Sequence, residues 1–159
     1  MRRLYVWGIA LFFSLAGCES NRVYEQYHDF DNRLWAVVET PEFEFTVDQP
    51  GEKYNLYCNV RNSSDYPNAR FFFTYYFLDS TGTVLKQELK TEALFDSKTG
   101  EPFGSSGLGD IYDHQFSILE NYQFAHPGKF KVKFEQFMRT DTLSGILAVG
   151  LRVEKVSKE

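Results

Sequence analysis

The residue best placed to do chemistry is Cys18, because its thiol follows an apolar segment near the start of the chain. Arg2 and Arg3 supply a positive head, and Leu4 to Leu15 is an uncharged, mostly apolar run. A charged head, an apolar run and small residues before a cleavage point are the layout of a secretory signal. The run is shorter than the roughly 20 apolar residues that a membrane-spanning helix needs. Residues 1–17 are therefore predicted to be a signal peptide.

The stretch 15–18, with the sequence Leu-Ala-Gly-Cys, resembles a bacterial lipobox. In a lipobox the Cys thiol is joined to diacylglycerol and the chain is cut just before it, so the resemblance implies lipidation of Cys18. The alternative is an ordinary signal peptide or membrane anchor in which Cys18 is incidental. Residues 18–22 would form the lipidated N-terminus and tether, and four extended residues reach roughly 15 Å. The folded domain is therefore expected to lie close to its membrane.

The net charge of the chain argues against some classes of binding partner. The chain has 22 acidic and 17 basic residues and a formal net charge of −5. Removal of residues 1–17 would take away two of those basic residues and leave the remainder more acidic still. Such a balance argues against nucleic acid as a partner and against charge-driven binding to anionic lipid. Attachment to the membrane is expected to come from acyl chains on Cys18.

The second cysteine is predicted to be structural. With Cys18 as a thioether, Cys58 has no partner within the chain, so it is either buried or paired between molecules. In the alternating run 54–60 it shares a face with Tyr54, Leu56 and Val60. A thiol in that position packs as a small hydrophobic group, and we expect Cys58 to be buried in the core.

Period-two alternation of apolar and polar residues dominates the chain and predicts strands. Phe43, Phe45 and Val47 alternate with polar residues, and 129–135 repeats the pattern with lysines. The predicted strands are 23–30, 42–48, 53–61, 70–78, 83–90, 112–119, 129–138 and 146–155. Turn residues separate them. The fold class is therefore predicted as all-β, with residues 23–159 forming a single antiparallel β-sandwich, jelly-roll or Ig-like, of about eight strands.

Two segments differ from this pattern. The strand 70–78 is apolar on both faces; it is either a central strand covered on both sides or a strand with one face exposed for contact. The connection from Lys90 to Tyr112 is long and rich in glycine, and connections of this length are usually functional or disordered. Phe103, Leu108 and Ile111 predict that it packs onto the sandwich. Either 91–111 or the 70–78 strand could provide a contact surface.

No motif for catalysis, cofactor binding or metal binding emerges. The Gly-Ser-Ser-Gly stretch at 104–107 lacks the Lys-Ser/Thr and the helix of a phosphate loop, and it is not a nucleophile elbow. His28 with Asp29 and Asp31, and Asp110 with 113–114, could offer metal ligands but are typical of turns and loops. We therefore predict no catalytic, cofactor-binding or metal residues, no cofactor and no enzymatic activity, with lipidation of Cys18 as the one site.

Several segments in order along the chain resemble the GldH family of gliding-motility lipoproteins of Bacteroidetes-type bacteria. They are Ser20 to Tyr27, Phe30 to Trp35, Tyr54 to Asn62, Asp65 to Pro67, Gly107 to Ile111, Phe134 to Arg139 and Leu143 to Arg152. The resemblance implies a small envelope lipoprotein needed for gliding, associated with machinery whose adhesins leave by type IX secretion. The family has no established catalytic residues to carry over.

From the resemblance and the lipobox we expect a lipid-anchored component of the cell envelope, in the outer membrane, that makes protein–protein contacts within the gliding and secretion machinery. Both the periplasmic and the surface-facing leaflet fit the sequence. The alternative is a glycan-binding module on a lipid anchor, in which exposed aromatic rings would stack on sugars. Trp35, Tyr75 and Tyr76 would be the stacking residues in that case.

Overall fold

The computed structural model describes residues 21–157, and its regular structure is almost entirely β-strand. The strands are β1 (Arg22–Asp29), β2 (Leu34–Ala36), β3 (Glu42–Val47), β4 (Lys53–Ser63), β5 (Arg70–Asp79), β6 (Val84–Ala93), β7 (Ser105–Ser106), β8 (Ile111–Gln123), β9 (Gly128–Gln136), β10 (Thr142–Ser144) and β11 (Ile146–Lys155). A 3₁₀ turn covers Asp31–Arg33. Within 21–157, no helix is long and apolar enough to cross a membrane.

The long strands form two antiparallel sheets. One has the order β1-β11-β4-β8-β7 and the other the order β3-β9-β5-β6, while β2 and β10 pair as a separate ribbon. Among the long strands, β5 and β6 are consecutive in the chain and neighbours in one sheet; each other connection passes from one sheet to the other. This arrangement is a jelly roll. The all-β sandwich predicted from the sequence is confirmed, with the jelly-roll arrangement of the two that were considered.

Side-chain alternation explains which face of each strand is buried. Phe43, Phe45 and Val47 on β3 point into the core, and Phe130 and Val132 on β9 do the same. The intervening Glu and Lys residues face solvent and pair across the two strands. Burial of one such side chain contributes roughly 1.5–3 kcal/mol. The period-two pattern therefore both defines these strands and fixes their register.

The centre of the core is strand β5, which lies between β9 and β6. Phe71, Phe73, Tyr75 and Phe77 all point inward and are fully buried. The Tyr75 hydroxyl donates a hydrogen bond of 2.9 Å to the Ile118 carbonyl oxygen of the opposite sheet. The same hydroxyl lies 3.1 Å from a Glu88 carboxylate oxygen of β6. Aromatic rings from both sheets thus pack together, and polar partners satisfy the buried hydroxyl.

All eight predicted strands are present, with ends shifted by a few residues. The sequence analysis did not predict β2, β7 or β10. The expectation that the connection packs down through Phe103, Leu108 and Ile111 was wrong for Phe103 and Leu108, whose side chains are exposed, whereas Ile111 is half-buried. The connection is instead held by the fully buried Leu94 at its start and by the pairing of β7 with β8.

Candidate functional site

The position of the N-terminal tether is set by Asn21, the first described residue. Its carbonyl oxygen accepts a 2.8 Å hydrogen bond from the Lys155 backbone, and its side-chain amide donates to the Ser157 hydroxyl. Cys18, the predicted lipidation site, lies outside the described residues. Asn21 thus lies at the end of the sandwich where β1 begins and β11 ends, which we call the Asn21 end, and the predicted tether would leave from there.

The connections at the two ends of the sandwich differ in length. Those at the Asn21 end are the turns 48–52, 80–83 and 124–127. Those at the opposite end, which we call the far end, are 30–41, 64–69, 94–110 and 137–145. Loops on a rigid sandwich are where binding residues concentrate. The topology thus gathers the longer connections at the end away from the tether.

The far end also exposes apolar side chains. Val38 is 85% exposed, Leu108 91%, Phe103 61% and Phe137 60%, more than any other large hydrophobic residue described. Each lies in a far-end connection. Strongly exposed large apolar side chains at one end of a folded domain are candidates for a contact site. We call these four residues the far-end surface.

Backbone contacts hold the far-end connections to one another. The Gly145 N–H donates to the Arg33 carbonyl at 2.9 Å, and the Ser63 N–H donates to the Gly145 carbonyl at 2.9 Å. The Ser64 N–H donates to the Asp110 carbonyl at 2.8 Å, and the Asp110 carboxylate pairs with the Arg33 guanidinium at 3.2 Å. Four separate segments are joined in this way, so the far-end surface rests on a fixed base.

A depression of about 520 Å³ opens beside Phe137 on the outer face of β5 and β6. Its lining consists of Asn68, Phe72, Leu89, Phe137, Met138, Arg139 and Thr140. The Phe72 backbone N–H donates to the Met138 sulfur at 3.4 Å, which fixes the floor. The depression is mostly apolar with a single cation at its rim, a lining suited to an apolar side chain of a partner.

The Gly-Ser stretch examined for phosphate binding forms structure instead. Ser105 and Ser106 make up β7 and pair with Asp113 and Tyr112 of β8. The Asp113 carboxylate accepts a 2.8 Å hydrogen bond from Arg61. The β7–β8 pairing and a 3.3 Å hydrogen bond from the Ser105 hydroxyl to the Asp113 carbonyl hold the connection onto the sheet.

The histidines occupy separate places. His28 lies 2.7 Å from a Glu39 carboxylate oxygen. His114 is buried, and burial lowers its pKa to about 4. Its Nε2 has no hydrogen-bond partner in the described structure. Within residues 21–157, no three His, Cys, Asp or Glu side chains are grouped closely enough to hold a metal ion.

Cys58 is buried in the core, as predicted. It is fully inaccessible and shares its inward face with Tyr54, Leu56 and Val60. Burial raises the pKa of the Cys58 thiol well above its usual range. A thiol held protonated and shielded is unreactive, so this cysteine contributes packing alone.

Two of the three suspected sugar-stacking rings are buried. Trp35 is fully buried, stacks on Phe30 with 4.8 Å between ring centroids and donates its indole N–H to the Glu39 carbonyl at 2.7 Å. Tyr75 is also fully buried. Tyr76 is half-buried and donates to a Glu135 carboxylate oxygen at 2.7 Å. The choice of Trp35 and Tyr75 as stacking residues was therefore wrong, because both rings are part of the core.

Comparison with known families assigns the chain. The family model described as GldH lipoprotein matches residues 22–153. The chain belongs to the GldH lipoprotein family. The resemblance read from separate segments of the sequence is thereby confirmed over nearly all of the jelly roll.

Two relatives of the GldH family align along most of their length. The gliding motility lipoprotein GldH homolog of Christiangramia forsetii is 30% identical, covering 96% of this chain and 93% of that protein. Gliding motility lipoprotein GldH of Flavobacterium johnsoniae is 26% identical, covering 89% of each. The sequence similarity to these relatives therefore extends over 89–96% of each chain.

Solved structures show only distant similarity. The structure of infectious bursal disease virus Gx strain aligns with a TM-score of 0.39 and 14% identity, over 82% of this chain and 29% of that one. Dimeric latent PorU from Porphyromonas gingivalis aligns with a TM-score of 0.36 and 8% identity, over 87% of this chain and 14% of that one. These likenesses are too weak to bear on the function of this GldH-family chain.

Sequence reasoning about this GldH-family chain missed Val38 and Phe137 as surface residues. Both are apolar; Val38 lies in no motif, and Phe137 was noted only within the predicted strand 129–138 and the family-like segment Phe134 to Arg139. Their common location at the far end follows from the strand order, which pairs segments distant in sequence. The signal that could have found them is their position in connections that leave the same end of their strands.

Proposed function

We propose that this protein is a lipid-anchored component of the gliding motility machinery, attached to the outer membrane through Cys18, that binds other envelope proteins of that machinery. Membership of the GldH family supports the motility role. The names of the relatives, gliding motility lipoproteins, support the anchor. The role is non-catalytic, and the machinery includes components linked to type IX secretion.

The contact role rests on one observation: the exposed apolar residues lie at the end of the sandwich opposite to the end where the tether leaves. The tether leaves at Asn21, whereas the four most exposed large hydrophobic residues described lie at the far end. An anchor at one end leaves the other end free for a partner. Apolar residues on a fixed base lose little conformational freedom on binding, which favours affinity.

The proposal is tested with Leu108→Asp and Val38→Asp in the full-length lipidated protein, produced in its own gliding bacterium. Val23→Asp is the matched control, since Val23 is an exposed apolar residue near the Asn21 end. In-cell crosslinking followed by mass spectrometry gives the partners, and colony spreading gives motility. Both far-end variants should reduce recovery of gliding and secretion components about tenfold, as expected for a loss of about 1.4 kcal/mol in binding.

Membrane fractionation separates anchoring from contact. The far-end variants should remain in the membrane fraction, whereas Cys18→Ala should leave it and abolish spreading. Normal spreading and an unchanged partner profile for both far-end variants would overturn the contact role. Retention of membrane attachment and spreading by Cys18→Ala would overturn the anchored role.

A further inference from the structure

Strand β6 is an open sheet edge. Within residues 21–157 it pairs with β5 alone, and its other side faces solvent. All the side chains from Val84 to Leu89 are exposed. An unpaired row of backbone N–H and C=O groups over ten residues is a template for another strand. This edge therefore has both the length and the hydrogen-bonding capacity to accept a partner strand.

The charges on β6 alternate in sign along one face. Lys86, Glu88, Lys90 and Glu92 lie opposite the inward-facing residues of β5. The Lys86 Nζ lies 3.5 Å from a Glu88 carboxylate oxygen, and the Lys90 Nζ lies 3.8 Å from a Glu92 carboxylate oxygen. Edge strands usually carry charge to repel other edges. A strict alternation of sign instead gives a pattern that can match a second strand.

We propose that β6 pairs antiparallel with β6 of a second copy, with Leu89 facing Leu89 on the two-fold axis. In this register Lys86 faces Glu92 of the second copy, and Glu88 faces its Lys90. Every charge of the four then lies opposite one of the other sign. Opposite-charge cross-strand pairs stabilise a sheet, whereas like charges directly opposite destabilise it.

The charges select this register over its neighbours. If one strand shifts by two residues in one direction, Glu88 faces Glu88 of the second copy. A shift in the other direction makes Lys90 face Lys90 of the second copy. In-register parallel pairing places every charge opposite its own kind. The two-fold register centred on Leu89 also gives a closed dimer, because the same surface is used by both copies.

The environment of the strand supports the pairing. Glu92 is partly withdrawn from water, and this burial raises its pKa, so a facing lysine of a second copy would stabilise the carboxylate. On the other face, Leu89 is 49% exposed and borders the apolar depression. Its contact with a second Leu89 would cover apolar surface that is exposed in a single copy.

The pairing fixes how two anchored copies lie. Because it is antiparallel, the Asn21 ends of the two copies point in opposite directions along the strands. With both copies anchored in one membrane, the strands of the dimer would run along the membrane surface, so the far-end surface of each copy would face along the membrane.

The first test uses Leu89→Cys in full-length protein in its native membrane, with mild oxidation and a non-reducing gel. Directly opposed residues of an antiparallel pair have Cα atoms about 4.5–5.5 Å apart, within disulfide range. The matched control is Gln87→Cys, on the same face, which would lie about 13 Å from its counterpart. Leu89→Cys should form a crosslinked dimer, and Gln87→Cys and the parent chain should not.

The second test exchanges charges in the Leu89→Cys protein. Glu88→Lys and Lys90→Glu each place like charges opposite one another across the dimer, so each should lose the crosslink. The double variant restores opposite pairs and should recover it. Loss in both single variants with recovery in the double variant would support the register.

Two results would overturn the proposal. One is equal crosslinking of Leu89→Cys and Gln87→Cys, which indicates random collision or another register. The other is crosslinking of Leu89→Cys that is unaffected by either charge reversal. Neither result depends on gliding or on the far-end surface, so failure here is distinguishable from failure of the proposed function.

Discussion

Gly145 lies directly against the backbone of Tyr66 at the far end of the sandwich. A Cβ added to Gly145 would lie 2.6 Å from the Tyr66 Cα and 2.7 Å from its nitrogen. Gly145 also has a φ of +83°, a left-handed conformation that side chains disfavour. Because Gly145 joins three far-end segments through hydrogen bonds, this close approach fixes the base of the far-end surface.

We expect Gly145→Ala to lower the free energy of unfolding by about 3 kcal/mol, from the left-handed conformation and the steric clash together. Chemical denaturation of the purified protein measures it. Gly82→Ala is the control, since Gly82 has a φ of +86° but no atom within 4 Å of an added Cβ. The control should lose only about 1–2 kcal/mol. Equal losses would contradict the close approach to Tyr66.

Burial of His114 predicts a loss of stability in mild acid. Its pKa is about 4 in the folded chain, below its ordinary value of 6.5, so the unfolded chain binds the proton more readily. The stability is complete above pH 6.5, falls as the pH drops and levels off below about pH 4. A shift of this size corresponds to about 3 kcal/mol.

His114→Gln should remove this contribution, so the free energy of unfolding of the variant should change less than that of the parent between pH 7 and pH 4.5. Denaturant titrations at several pH values measure it, with the exposed His126→Gln as the substitution control. The same pH dependence in the parent and in His114→Gln would show that His114 is not the residue responsible.

The number of thiols that react with a thiol reagent should differ between the folded and the denatured protein. Cys58 is fully buried, so a thiol reagent should not modify it in the folded protein. After denaturation, protein extracted from membranes should give one thiol per chain, because a lipidated Cys18 is a thioether. Protein produced without export should give two. Two thiols in the membrane-extracted protein would contradict lipidation of Cys18.

Trp35 predicts the fluorescence of the processed protein. The sequence has two tryptophans, and the other, Trp7, falls within the predicted signal peptide. Trp35 is fully buried against Phe30. Its fluorescence emission maximum should therefore lie at short wavelength, and the emission should be protected from added quenchers and unchanged by polysaccharide. A red emission that moves with added glycan would contradict its place in the core and revive a sugar-binding face.

The sequence predicted the parts of the fold that depend on local alternation. Phe43, Phe45 and Val47 reveal their inward face within a few residues, and so does the lysine-rich β9. The pairing of β2 with β10 could not be predicted, because it joins Trp35 to Leu143 through two three-residue strands far apart in the chain. Such pairs carry no periodic signal.

The contact surface was the harder part of the prediction. Phe103 and Leu108 were expected to pack because they are apolar, but residue type alone does not say which side faces the core where periodicity ends. Leu94, directly after β6, is the apolar residue of this connection that is fully buried in the core. For the strand 70–78, the inward residues formed the core as expected of a central strand. Its outer face contributes Phe72 to the apolar depression.

The position of β1 has a mechanical consequence. The chain enters the sandwich at the start of β1, an edge strand that runs antiparallel to β11 from the Asn21 end toward the far end. A force between the membrane and a partner at the far end would act along β1. The hydrogen bonds joining β1 to β11 would then be sheared together, not peeled apart one at a time. With the proposed anchor on Cys18, the jelly roll would therefore resist a pulling load without losing its first strand.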